Sequence, residues 1–362
     1  MRKNRKFYVL LTVLCAGALF FIPLLSAPPA VSAAKPVTGA PVSTATAGKT
    51  NPTEKTTAAP AVPAATADDK AALKEQSFTV LHTDGKTKSA ISCREFLVFT
   101  LAAEMLPSFE PEALKAQAVA AYTYFCYERD REKENPQKAL CGADFADTPV
   151  PYPDGYTPAY WKKKWGEDTY ATCRKKLEAA VDAVAGIQIT YEGKPILAAY
   201  HAISPGKTEV AEVAWSAAYP YLQSVDSEAD KNAPDYTTTV RLTTDQLQKA
   251  LADLDGADFS ASPKDWISPT VTRSAAGTVL KLTVGGVALS GKECRTRFGL
   301  RSACFSVAYE NGGFTFTVTG NGHGVGLSQY GAQFAALDGA SFADILHRYY
   351  TDVTLESHKF FL

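Results

Sequence analysis

The chain has 362 residues and carries 37 Lys+Arg against 38 Asp+Glu, for a net charge of −1. That balance argues against a nucleic-acid partner, which calls for a basic excess. The hydrophobic fraction of 46% is that of an ordinary globular protein, enough for one large domain or two.

The N-terminus reads as a membrane-targeting segment. Arg2, Lys3, Arg5 and Lys6 precede an apolar run from Phe7 to Leu25 that only Thr12, Gly17 and Pro23 interrupt. The run approaches the roughly 20 residues that span a bilayer and exceeds a usual signal-peptide run. Val31-Ser32-Ala33, a candidate cleavage site, lies several residues further on. The expectation is an uncleaved anchor at residues 1–25, positive end inside and the rest outside. Cleavage and secretion is the alternative. Residues 26–76 are rich in Ala, Pro, Thr and Lys without apolar periodicity, the composition of a disordered tether. The folded domain is expected over 77–362.

Phe78 to Leu81 predicts a strand and Asp84-Gly85 a turn. Two helices follow in Ser92–Tyr127. Ser92 and Glu95 have capping-box spacing, and the segment after them is apolar nearly all round, as in a buried helix. Pro107 breaks it. Ser108 is placed to cap a second helix, with Pro111 and Glu112 in its first turn. Glu104 stands out, because a carboxylate that ends an apolar helix meets both desolvation and an unfavourable dipole. Both favour the protonated acid, the form that serves as a general acid. The bland readings are an exposed glutamate or one paired with Lys115.

Residues 128–171 are polar, then rich in proline and aromatics, and read as a long insertion or lid. Tyr152, Tyr156, Tyr160, Trp161 and Trp165 are placed either to stack on sugar rings or to pack the loop on itself. Arg174 to Ala185 predicts an amphipathic helix stopping at Gly186. Ile187–Tyr191 and Ile196–Tyr200 predict a hairpin across Glu192-Gly193. His201 follows directly, with Ser204, Lys207 and Thr208 on a Pro-Gly loop. A lone histidine there is also an ordinary satisfied turn residue.

Residues 236–319 predict a β-rich insertion with strands at 236–242, 270–273, 279–284, 287–289, 305–309 and 314–318. Short helices are expected at 243–251 and 292–298, and Gly285-Gly286 and Asn311-Gly312 serve as hairpin turns. In GNGHGVGLSQYGAQFAALDG, Gly320 to Gly339, glycines surround His323 before a helix expected from about Leu327. Such a turn allows close backbone approach to a ligand. A phosphate loop is excluded, because no Gly-Lys-Ser/Thr follows. Ser341 caps a last helix at 342–350. The sum is an α+β fold: a helical hairpin carrying Glu104, packed on mixed and antiparallel β structure, with the β-rich insertion.

Six cysteines lie beyond the N-terminal run: Cys93, Cys126, Cys141, Cys173, Cys294 and Cys304. An even number in an extracytoplasmic domain permits disulfides. With no CxxC or HExxH spacing, a zinc site has weak support and no cofactor is expected, although Cys126, Cys141 or Cys173 could meet a histidine across the fold. A Cys/His peptidase, with Cys126 or Cys93 activated by His323, lacks a recognisable nucleophile context.

Three stretches together are more specific than any one. AEM-x₇-EALKAQAVAAYTY, H-x-x-S-x-G-x-T…PYLQSVDS and GHGVGLSQYGA resemble the stage II sporulation protein D (SpoIID/LytB) family, across roughly 78–355. The resemblance implies a lytic transglycosylase that cuts peptidoglycan glycan strands stripped of their stem peptides. It implies two further partners, a cell-wall amidase and a membrane scaffold protein. The family's acid falls on Glu104, with Leu106 where the family has proline. Tyr122 stands where the family often has arginine, and Ala202 follows His201 where it has serine. Lys115, Gln117, His201, Ser204, Thr208, His323, Ser328, Gln329 and Tyr330 are the expected substrate contacts. Some relatives are instead described as amidase enhancers, which bind wall without cutting it.

Overall fold

The computed structural model describes residues 64–82, 84–146 and 158–357, all within one compact unit. The expected anchor, most of the expected tether, and Tyr152 and Tyr156 lie outside the described residues. Among the described residues no helix is long and apolar enough to cross a membrane. The fold is α+β.

Its spine is a helix at Pro111–Glu134. Small alanines at 113, 116, 118, 120 and 121 are buried, and they let neighbours approach on several sides. The acid-bearing helix Cys93–Glu104, the helices Glu167–Ala183, Gln329–Leu337 and Phe342–Tyr349, and the strand Ile187–Tyr191 all pack against it. Thr123 stitches helix to strand: its hydroxyl donates to Val119 O (2.8 Å) and accepts from Ile189 N (3.0 Å). Burying a side chain such as Leu114 or Leu101, both nearly inaccessible, contributes about 1.5–3 kcal/mol each.

The β structure around this spine is mixed. Ser77–Leu81 pairs antiparallel with Lys88–Ser92 and parallel with Phe145–Ala146. Ile187–Tyr191 lies between Thr354–Ser357 and Lys194–Pro195, antiparallel to both. A short parallel pair, Tyr200–His201 with Leu327–Ser328, brings the second and third sequence clusters side by side.

The insertion has a hydrophobic core of its own. Thr237–Thr243, Gly313–Thr319 and Phe305–Glu310 form one antiparallel sheet; Ile267–Arg273, Val279–Val284 and Val287–Leu289 form another. Leu282, Val284, Phe314, Phe316 and Val318 are buried in that core. Helices Thr244–Ala250 and Gly291–Phe298 both begin with complete capping boxes, from Thr243 with Gln246 and Ser290 with Glu293.

Several expectations need correction. A helix at Ala67–Glu75, capped by Thr66 and burying Leu73, falls within the expected tether. The long helix starts after Glu110, not Ser108, because Pro111 presets its first turn. It continues to Glu134, and further helices occupy Pro158–Trp165 and Glu167–Ala183, so much of the expected lid is helical. Trp161 is buried, with its ring 4.6 Å from Trp165 and 5.0 Å from Tyr160. These aromatics pack on one another rather than forming an open sugar platform. Residues 196–199 make no strand. Leu327–Ser328 is strand, and the helix starts at Gln329.

Candidate active site

Glu104 is the last residue of its helix, with Met105 extended beyond it. The turn that follows is held at two points: Glu110 N donates to Gln333 Oε1 (2.6 Å), and the Phe109 ring meets Tyr330 edge-on at 5.1 Å. The acid is thereby fixed against the helix that starts at Gln329. Gln329 Nε2 donates to Glu104 Oε2 (3.0 Å) and to Gln117 Oε1 (3.4 Å), so three elements meet at one carboxyl. Gln117 is fully buried, and its Nε2 has no protein partner.

Glu104 is crowded by protein yet keeps a partly open face. Desolvation pushes its pKa up from 4.5 to about 7, against the opposing pull of the Gln329 hydrogen bond. No charged group offsets the burial. Lys115 is turned to Glu112 (2.6 Å), and Glu112 in turn accepts from Phe342 N (2.9 Å). The pairing of Glu104 with Lys115 is thus replaced by pairing with Gln329.

His201 and His323 come together, ring centroids 5.7 Å apart, with Trp215 lying 5.0 Å from His323. Val325 sets both tautomers. Its carbonyl accepts from His201 Nδ1 (3.1 Å), so that nitrogen carries a proton; its N–H donates to His323 Nδ1 (3.0 Å), so that one does not. Burial keeps both rings neutral, His201 down to about 4 and His323 well below its ordinary value. The close approach depends on Gly322 (φ 112°), where a Cβ would lie 2.7 Å from that of His201.

Ser204, Thr208 and Ser328 are fully buried, with their polar atoms engaged by the scaffold. Asp230, which carries no local signal in the sequence, organises Ser204 and Ser328. Its Oδ2 accepts from Ser204 N (2.8 Å) and from Ser328 Oγ (2.7 Å). Ser328 Oγ also caps the Gln329 helix through Gly331 N (3.3 Å). Thr208 Oγ1 accepts from Val225 N (2.9 Å). Asp230 looks like any loop aspartate in sequence, because its partners lie 26 and 98 positions away. Trp215 likewise carries no local signal in the sequence. Tyr330 is half-buried against Phe109 beside the acid's turn.

Among the described residues no three His, Cys, Asp or Glu side chains gather as metal ligands. The six cysteines are unpaired. Burial pushes Cys93 up to about 12 and Cys126 up to about 11, the opposite of an activated nucleophile.

A family model described as "Stage II sporulation protein" matches residues 83–191. Stage II sporulation protein D of Bacillus amyloliquefaciens is 36% identical over 292 residues, covering 80% of this chain and 82% of that protein. The stage II sporulation protein D of Bacillus subtilis (strain 168) is 37% identical over 290 residues, covering 79% and 80%. A Bacillus subtilis (strain 168) protein named "Amidase enhancer" is 28% identical over 307 residues, covering 70% of this chain and 39% of its own length.

Proposed function

The chain belongs to the stage II sporulation protein D family, and from that premise we propose that it is a lytic transglycosylase cutting peptide-stripped peptidoglycan strands during sporulation. Family membership supports the coarser part, a sporulation role at the cell wall. The finer part rests on one observation: a lone, desolvated carboxyl held near pH 7 with an amide as its hydrogen-bond partner.

An ordinary glycosidase needs two carboxylates, an acid and a nucleophile or base. A transglycosylase needs one. Protonated Glu104 donates its proton to the glycosidic oxygen as the bond from that oxygen to the anomeric carbon breaks. The muramoyl residue's own 6-hydroxyl attacks the anomeric carbon, closing a 1,6-anhydro ring. The Glu104 anion then takes the 6-hydroxyl proton, and no water is consumed. Gln329 donates to that anion between the two transfers. Gln117 Oε1 accepts from the same Gln329 nitrogen and steadies it.

In this reading the N-terminal segment holds the domain outside the membrane. An amidase supplies stripped strands, and a membrane scaffold protein keeps both enzymes at one place. The test is to incubate purified protein with amidase-treated strands and with intact peptidoglycan. The expected result is 1,6-anhydro-muramyl ends, released faster from the stripped strands. The relative named "Amidase enhancer" favours a second reading, wall binding that speeds another enzyme. That reading expects no new ends from the purified protein alone and a faster amidase when the two are mixed.

A further inference from the structure

Arg295 lies in the helix Gly291–Phe298 of the insertion, half-buried. It has no hydrogen-bond or ion-pair partner among the described residues. Every other described arginine has one: carboxylates for Arg94, Arg129, Arg131, Arg174, Arg297 and Arg301, and main-chain oxygens for Arg241, Arg273 and Arg348. A crowded cation without a partner is unfavourable, and function is a common reason to keep one. Arginine stays charged, and its planar fork matches a carboxylate.

The position of Arg295 is tied to the histidine pair. Its carbonyl accepts from Leu300 N (2.9 Å), which leads the chain into Arg301 and Ser302. Arg301 O accepts from Gly322 N (2.9 Å), and Ser302 bridges Gly322, the residue pressed against His201. The positive charge of Arg295 bears on both His201 and His323, and Lys292 on the same helix adds to it at His323. From His201 the parallel strand pair leads to Ser328 and so to Gln329, which holds the acid.

We infer that Arg295 is a carboxylate-binding, specificity-determining residue: it pairs with the free lactyl carboxylate that a muramoyl residue carries once its stem peptide is gone. Removing the peptide converts a neutral amide into a carboxylate, while N-acetylglucosamine carries no charge at all. One guanidinium therefore distinguishes stripped from unstripped strand, and muramoyl from glucosaminyl residues. The inference deepens the transglycosylase reading and rests on it for the identity of the ligand.

The test compares two substrates, amidase-stripped strands and the same strands with lactyl carboxylates coupled to methylamine. Cleavage is measured with the wild-type protein, Arg295→Gln and Arg295→Lys, and binding by co-sedimentation with each in a Glu104→Gln background. Charge-assisted hydrogen bonds of this kind correspond to roughly ten- to hundredfold in affinity. We expect wild type to prefer the carboxylate strands by about that factor, mainly through KM. Arg295→Gln loses the preference by weakening carboxylate strands alone, and Arg295→Lys restores part of it. A preference that survives in Arg295→Gln, or an equal loss on both substrates, overturns the assignment. If wild type forms no 1,6-anhydro ends on any strand, the enzyme reading fails, and the co-sedimentation preference still decides the role of Arg295.

Discussion

At Glu104 the proposed catalysis and stability pull in opposite directions. The folded protein keeps the proton up to about pH 7, while an unfolded chain releases it near 4.5. Between those values stability falls as pH rises; below 4.5 both states are protonated and nothing is lost. At about 1.4 kcal/mol per pKa unit, the penalty at neutral pH is on the order of 3 kcal/mol. Glu104→Gln should therefore be more stable than wild type to urea near pH 8 and similar to it near pH 4, a comparison of conditions taken from about one unit outside that window. Gln329 works the other way, favouring the anion. In Gln329→Leu the pKa of the acid rises, so the alkaline fall in cleavage rate should move to higher pH while the maximal rate drops. An unchanged pH profile would remove Gln329 from the acid's environment. Glu104 was legible in sequence because a carboxylate ending an apolar helix is chemically odd. Its partner was not, since Gln329 lies 225 positions away.

The elements that carry the site are held by polar pins. Asp230 joins the Ser204 loop to the start of the Gln329 helix. Asp230→Ala leaves the Ser204 N–H without an acceptor and Ser328 Oγ with only Ala202 O at 3.5 Å, and an unpaired buried donor costs about 1–3 kcal/mol. The expected result is a loss of about 2–4 kcal/mol in chemical denaturation, with cleavage reduced further because Gln329 loses its anchor. Wild-type stability in that variant would show the network to be incidental. At the same crossing Gly331 has no room for a side chain, since a Cβ would lie 2.0 Å from Tyr349 Oη and 2.5 Å from Ser227 Oγ. Gly331→Ala should disturb this junction at least as much. On the other side of the acid, Arg94 forks onto Asp182 (2.7 and 2.8 Å) and Arg174 reaches Glu95 (2.8 Å), tying the acid-bearing helix to Glu167–Ala183. Elements marked by local chemistry were legible: the Ser92 cap, the Gly285-Gly286 turn and the Ser341 capping box. Glu128, Arg129 and Glu132 look solvated in sequence, which puts 128–134 with the insertion or lid, yet they are buried on the long helix.

Among the described residues two hydrophobic cores meet around a hydrogen-bonded seam of glycine turns and histidines. The histidines add their own pH dependence. His201 stays neutral down to about 4, while an unfolded histidine takes up its proton near 6.5, so stability falls as pH drops through that window. Glu104 offsets part of this fall, because its penalty fades over nearly the same range. The acid-side decline in urea stability should thus be steeper in Glu104→Gln than in wild type. The α+β class was readable from strand periodicity and turn residues. The short parallel pair of Tyr200–His201 with Leu327–Ser328 was not, because pairing across more than a hundred residues leaves no local signature.

In the proposed reaction one carboxyl, Glu104, does all the proton transfer in cutting a strand without water. The most direct test is mass spectrometry of products released from amidase-stripped strands by wild type and by Glu104→Gln, with circular dichroism confirming that both are folded. The expected products are muramyl ends lighter by one water, the 1,6-anhydro form, from wild type and none from the variant. Hydrated reducing ends from wild type, or anhydro ends from Glu104→Gln at a comparable rate, would contradict the proposal.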